Sequence, residues 1–314
     1  MRKAKALLHL AAHSLGVDVR RVQDGFAMRR LSAAERAAPD DVAVVRVRGY
    51  TLEMYARSYL ASIYTEYPEY SGELARLLQI AIRTYPDLGM LDVGASYGDT
   101  VAIAKSVADI PIVCIEGDQR TLMLLERNLR QFNGVSVHGA ILGERRQALN
   151  AVLEDDGGNM RIRPTDAGEG ALLTMTTLDH ITGSLQYPER YRLLKIDTEG
   201  FDCRILRGGR EFIASAKPII AMEYHRLNMR RIGEEGLPTL WQLRELGYHD
   251  AFFFDNGGRF ILATSLDQEE VIQDLHDYAD GKEGGIFYYD LYLFHSDDTK
   301  IAASFKNEER ARRA

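Results

Sequence analysis

The chain has 314 residues, 46% of them hydrophobic and 27% charged, which suits one large α/β domain with additions or two domains. A net charge of -7 argues against a nucleic-acid partner, which needs a basic face. Its two cysteines, Cys114 and Cys203, form no CxxC pair, so nothing points to a disulfide scaffold or zinc site and a reducing compartment fits.

Residues 1 to about 40 read as helical and then loose. The opening "MRKAKALLHLAAHSLG" predicts an amphipathic helix, because His9 and His13 interrupt the apolar run and no A-x-A cleavage site follows. The run is too short to span a bilayer, which leaves peripheral contact with a membrane surface as the alternative. A cytoplasmic protein is the expectation. "VAVVRVRGYTLEM" alternates as a strand or hairpin. Leu74, Leu77, Leu78, Ala81, Ile82 and Tyr85 then mark one face of a helix that Pro86 stops.

From there strands and helices alternate: "LGMLDVG", "PIVCIEGD", "VSVHGAIL", "YRLLKID" and "KPIIAMEYH" as strands, with helices at "YGDTVAIAKSVA", "QRTLMLLERNLRQF", "FDCRILRGGREFI" and "PTLWQLRELG". The polar stretch 144–176 contains a turn at "EDDGGN" between hairpin strands, and a second hairpin turns at Asn256, Gly257 and Gly258. "YYDLYLFH" closes the pattern as a strand, and "KNEERARRA" reads as a charged, solvated tail. The alternation predicts a largely parallel sheet with helices on both faces and an antiparallel edge.

In such a sheet ligands bind beyond the carboxyl ends of the strands. The first core strand ends in "DVGASYGDT", where Gly94 permits a sharp turn and Gly98 lets the next helix begin close to a ligand. The spacing is G-x-x-x-G, with Ser96 where a dinucleotide fingerprint has its second glycine. Glu116 ends the second strand about twenty residues on, where an acid accepts the hydroxyls of a ribose. A glycine turn plus this acid marks an adenosine-type cofactor without naming it.

"DVGASYGDT", "CIEGD", "TLD" at residues 177–179 and "LLKIDTEGFDCRILRG" come in an order and spacing that resemble the FkbM family of methyltransferases, over roughly residues 85 to 225. The resemblance implies a class I methyltransferase (Rossmann-like) fold over residues 85–298, with an N-terminal helical and hairpin extension at 1–84 and the charged tail at 299–314. It also implies S-adenosylmethionine as cofactor. Asp92, Gly94, Ala95, Ser96, Tyr97, Gly98 and Asp99 would surround its methionine portion, Glu116 would hold its ribose, Gly139, Ala140 and Ile141 would border its adenine, and Gly117 would be a further cofactor contact. Asp197 would stand where cofactor and acceptor meet. The implied reaction is methyl transfer to a hydroxyl, that of a sugar in a glycan, glycolipid or natural product.

An acceptor hydroxyl must lose its proton as the methyl arrives, which calls for a general base. Asp197, Glu199 and His225 stand at strand ends as candidates, and Asp202 falls in the first turn of a helix whose dipole it complements. Asp197, Glu223 and His225 could also offer ligands to a divalent ion, although no compact motif such as H-E-x-x-H is present. Tyr55, Tyr59, Tyr64, Tyr67 and Tyr70 crowd the segment before the core, either as helix packing or as a sugar-stacking surface. A nicotinamide-dependent oxidoreductase and a non-catalytic cofactor-binding scaffold are the competing readings.

Overall fold

The computed structural model describes residues 17–22, 25–30, 38, 40–156, 159–166, 168–279 and 286–312. The amphipathic helix expected at residues 1–16 and the turn at Gly157–Gly158 lie outside them. β1 (Val17–Val22) and β2 (Gly25–Arg30) pair as a hairpin where the reading was helical and then loose. The β-branched alternation of "VDVRRV" is the local reason. β3 (Val42–Val47) and β4 (Tyr50–Tyr55) form a second hairpin across a two-residue turn, Arg48 and Gly49, both at positive φ, as such turns require. α1 (Tyr59–Glu66) and α2 (Gly72–Thr84) complete the N-terminal part.

The central elements follow: β5 (Gly89–Val93), α3 (Asp99–Val107), β6 (Ile112–Glu116), α4 (Gln119–Leu129) and β7 (Val135–Gly139). A small accessory sheet comes next, from β8 (Ile141–Leu142), β9 (Gln147–Asp156), β10 (Asn159–Pro164) and β11 (Ala171–Thr176). Then come α5 (Leu178–Thr182), β12 (Tyr191–Ile196), α6 (Asp202–Arg207), α7 (Arg210–Ala216), β13 (Ile219–Tyr224), α8 (Arg226–Arg231) and α9 (Leu237–Glu245). β14 (Tyr248–Asp255), β15 (Phe260–Ser265), α10 (Glu269–Tyr278), β16 (Tyr289–His295) and α11 (Thr299–Ala311) end the fold.

The main sheet runs β15-β14-β16-β13-β12-β5-β6-β7. β5, β6, β7, β12 and β13 are mutually parallel, β16 is antiparallel to both its neighbours, and β15 adds an antiparallel edge. Strand order steps outward from β5 through β6 to β7, then resumes on its other side with β12. The reversal leaves a crevice above the carboxyl ends of β5 and β12, where open α/β sheets hold ligands. With one antiparallel strand inserted beside the fifth parallel one, this is the class I methyltransferase sheet.

Two differences from the sequence reading are physical. The helix expected across "FDCRILRGGREFI" is two helices broken at Gly208–Gly209, which lie too close to their neighbours for side chains: a Cβ on Gly208 would stand 2.2 Å from the Gly143 carbonyl oxygen. The segment read as a charged tail, 299–314, contains the whole of α11. Ile301, Ala302, Phe305 and Glu309 are buried, Phe305 stacks near Phe252 and Phe254, and Glu309 takes a bidentate hydrogen bond from Arg76. Burial of Phe305 alone contributes about 1.5–3 kcal/mol. No helix among the described residues is long and apolar enough to cross a membrane.

Candidate active site

A cavity of about 490 Å³ opens above the carboxyl ends of β5, β6, β12 and β13. α1, α2 and the turn between them wall it with Tyr59, Ile63, Tyr70 and Leu74, and Ile162 of β10 closes one side. Its lining carries Glu73, Asp99, Glu116, Asp118, Asp197, Glu199, Glu223 and Asp290. Among the described residues lining it, Lys195 supplies the one ammonium. A cavity of this size and polarity suits a small cationic or hydroxyl-rich ligand and repels an anionic one.

The β5–β6 side is shaped by main chain. The N–H groups of Gly94 and Ala95 donate to the Ile115 carbonyl at 2.9 and 3.2 Å, turning the chain away from β5. Glu116 holds the turn from across the crevice: Oε2 accepts from the Ser96 N–H at 2.8 Å and Oε1 from the Asp118 N–H at 2.8 Å. Burial raises the Glu116 pKa, and these N–H groups oppose the rise. Gly94 sits at φ +77°, and a Cβ there would stand 1.8 Å from the Asp197 carbonyl oxygen. What forbids a side chain is thus the neighbouring loop.

Of the residues expected around the cofactor, Gly94, Ser96, Asp99, Glu116, Gly117, Ala140, Ile141 and Asp197 line the cavity. Asp92, Ala95, Tyr97, Gly98 and Gly139 do not. Ala95 and Tyr97 turn into the core, and Gly98 packs against Leu125 and Leu129 of α4 instead of a ligand. Gly139 faces Leu122 of the same helix. Asp92 is fully buried beneath the site, with Lys195 Nζ 3.7 Å away and its pKa pushed up to about 7 by burial, which the lysine partly opposes.

The β12–β13–β16 side is built from side chains. Lys195 ion-pairs with Asp197 at 3.4 Å; burial opposes its charge, but Asp197, Asp92 and Asp99 outweigh burial and raise its pKa. The loop beyond β12 is not extended, since Glu199 at φ +54° and Gly200 at φ +105° are both left-handed. A non-glycine residue in that region is held there by its surroundings. Asn228 of α8 holds it, donating from Nδ2 to Glu199 Oε2 at 2.7 Å. Asp202 stands in the first turn of α6, as expected, and is also fully buried, accepting from the N–H groups of Thr198 and Gly200 and so bracing the loop before the helix. That short-range bracing was beyond a spacing argument, which sees only the helix position.

Glu199 and His225, the two base candidates, both line the cavity. Glu223 lines it too. Among the described residues no three His, Cys, Asp or Glu side chains stand together as a metal-binding group. Sequence reasoning passed over Lys195, Glu73, Asp290, Tyr288 and Tyr292. The signal for Lys195 and Asp290 was a charge inside an otherwise apolar strand. Of the early tyrosines, Tyr59 and Tyr70 reach the cavity, Tyr55 and Tyr64 are core, and Tyr67 is exposed. Tyr64 donates to Asp99 at 2.8 Å.

The sequence model of the methyltransferase FkbM domain matches residues 92–249, half of the chain. This chain belongs to the FkbM methyltransferase family. The match takes in the glycine turn, Glu116, the loop carrying Asp197 and Glu199, and His225. No curated protein matches this FkbM-family chain. Among solved structures it is similar to the FkbM methyltransferase of Methylobacillus flagellatus KT, at 20% identity and a TM-score of 0.39, over 57% of this chain and 43% of that one. It thus spans less than half the length of that relative. It is also similar to P. horikoshii TYW2 in complex with MeSAdo, at 13% identity, 94% and 86% coverage and a TM-score of 0.42. The METTL16 methyltransferase domain aligns at 8% identity, 93% and 91% coverage and a TM-score of 0.45. At these scores the likenesses add nothing to what the strand order shows.

Proposed function

We propose that this chain transfers the methyl group of S-adenosylmethionine to an acceptor hydroxyl, that of a sugar in a glycan, glycolipid or natural product. One observation carries the reading. At the strand-order switch, a glycine turn held by Glu116 faces a loop bearing Asp197 and Glu199 across one acid-lined cavity. The residues fit the cofactor's chemistry: carboxylates for a sulfonium and a ribose, and a turn where a Cβ has no room. S-adenosylmethionine, when bound, supplies an electrophilic methyl group on a positively charged sulfur.

Glu116 holds the ribose hydroxyls with the lone pairs its backbone contacts leave over. Gly94 and Ser96 bound the methionine end, while Gly117, Ala140 and Ile141 bound the adenine. Asp197, held by Lys195, stands at the junction with the acceptor. The acceptor proton goes to Glu199 Oε or to a ring nitrogen of His225, both of which face the cavity. In-line displacement needs no covalent intermediate, so holding the reactants in register supplies much of the acceleration. Tyr59 and Tyr70 offer aromatic faces for a sugar ring. The same reading takes residues 85–298 as the methyltransferase domain and places the protein in the cytoplasm.

Calorimetry with S-adenosylmethionine and with NAD tests the cofactor, and formation of S-adenosylhomocysteine with a panel of hydroxylated glycans tests the reaction. Binding of NAD in preference to S-adenosylmethionine would return the oxidoreductase reading. Binding without turnover on any acceptor would favour the scaffold.

A further inference from the structure

The cavity wall remote from Glu116 holds a pair of acids that nothing above uses. Glu223 on β13 and Asp290 on β16 are directly opposed in the strand register, so their side chains leave the same face of the sheet side by side. Burial first, and then the neighbouring carboxylates, raise the pKa of both, a cost of ionisation that a cation between them would offset. Oε2 of Glu223 is buried and, among the described residues, accepts no hydrogen bond. Glu73 reaches the same space from α2, accepting from the Tyr292 hydroxyl at 3.3 Å.

The nearby cations are engaged elsewhere. Arg76 makes its bidentate contact with Glu309, and Lys195 lies between Asp92 and Asp197. The remaining wall is aromatic: the Tyr288 ring stacks on His225 with centroids 5.6 Å apart, and its hydroxyl meets that of Tyr70 at 3.3 Å. Carboxylates beside aromatic faces are what an ammonium ion seeks, since it brings three donors, a full charge and attraction to a ring face. A neutral hydroxyl brings one donor and no charge to offset the cost of ionising either acid. A phosphate or carboxylate is repelled.

We propose that this wall is a subsite for a protonated amino group, and that the acceptor is an amine-bearing polyol anchored by its ammonium between Glu223 and Asp290. The word acceptor rests on the methyltransferase reading above; the subsite does not. The test is calorimetry on the full chain with glucosamine, galactosamine and mannosamine, each beside its parent sugar and its N-acetyl derivative. At least one amine is expected to bind tenfold or more tightly than both counterparts. Glu223→Gln and Asp290→Asn should each erase that preference and leave S-adenosylmethionine affinity unchanged. Both variants should melt at or above the wild-type temperature, which separates a lost preference from a lost fold. Equal binding of amines and parent sugars overturns the proposal, as does a preference that survives in both folded variants. An amine preference without S-adenosylmethionine binding would overturn the methyltransferase reading and leave the subsite standing.

Discussion

On the β5–β6 side of the cavity Glu116 uses both carboxylate oxygens on backbone N–H groups, whereas on the β13–β16 side Glu223 leaves a buried oxygen without a partner among the described residues. The first side is a main-chain turn locked by one side chain, and its shape follows from backbone geometry. The second is a set of charged and aromatic side chains on a sheet face, and its selectivity follows from charge. A site divided this way can keep one ligand constant while side-chain changes alter the other.

Five variants would break or sharpen that contrast. The largest effect is expected at Gly94→Val. A β-branched residue at φ +77°, with its Cβ 1.8 Å from the Asp197 carbonyl, should cost about 3 kcal/mol or more in urea unfolding. S-adenosylmethionine binding is then lost together with stability, and a stable, binding variant would show that the turn is not a rigid receptor. Next comes Glu199→Gln. If Glu199 is the base, turnover falls about a hundredfold or more while cofactor affinity holds. Unchanged turnover there with a loss in His225→Ala passes the role to His225.

Glu116→Ala should weaken S-adenosylmethionine binding by about 1.5–3 kcal/mol, read by calorimetry. Affinity equal to wild type in a folded protein would leave Glu116 a brace for the turn only. The smallest effect belongs to Asp202. Burial first, and then Asp197, push its pKa up to about 7, above the ordinary carboxyl value of about 3.9. The folded state therefore holds that proton more tightly than the unfolded state, and stability falls as pH rises from about 4 to about 7. Asp202→Asn should flatten this part of the melting profile while costing about 1 kcal/mol near pH 5 for the lost second acceptor. Asp92 and Glu73, also raised to about 7, keep some slope in the variant. A profile identical to wild type would mean that Asp202 does not titrate in that window.

The strands that carry the site were legible because each is a short apolar run closed by a glycine or an acid, and the alternation with helices dictated their parallel order. Gly94, Glu116, Asp197, Glu199 and His225 were found as strand-end residues for that reason. Tyr97 and Gly98 face the core, which spacing does not disclose, because it locates a residue in a turn but not what that residue packs against. Glu73 and Asp290 were invisible for a different reason: they meet only through α2 packing on the sheet and β16 inserting antiparallel, contacts more than two hundred residues apart in the chain. The core role of α11 was masked by its charges, although Ile301, Ala302 and Phe305 keep helical spacing.

The near-contact between Gly94 and the Asp197 carbonyl also bears on kinetics. The two loops interlock backbone to backbone, with no flexible side chain between them to absorb a shift. A ligand that displaced the glycine turn on one side would therefore push on the loop that carries Glu199 on the other. The affinities of the two ligands are then linked, each altering the other by the same factor. Such a linkage would show itself in initial-rate patterns as an apparent affinity for one ligand that shifts with the concentration of the other.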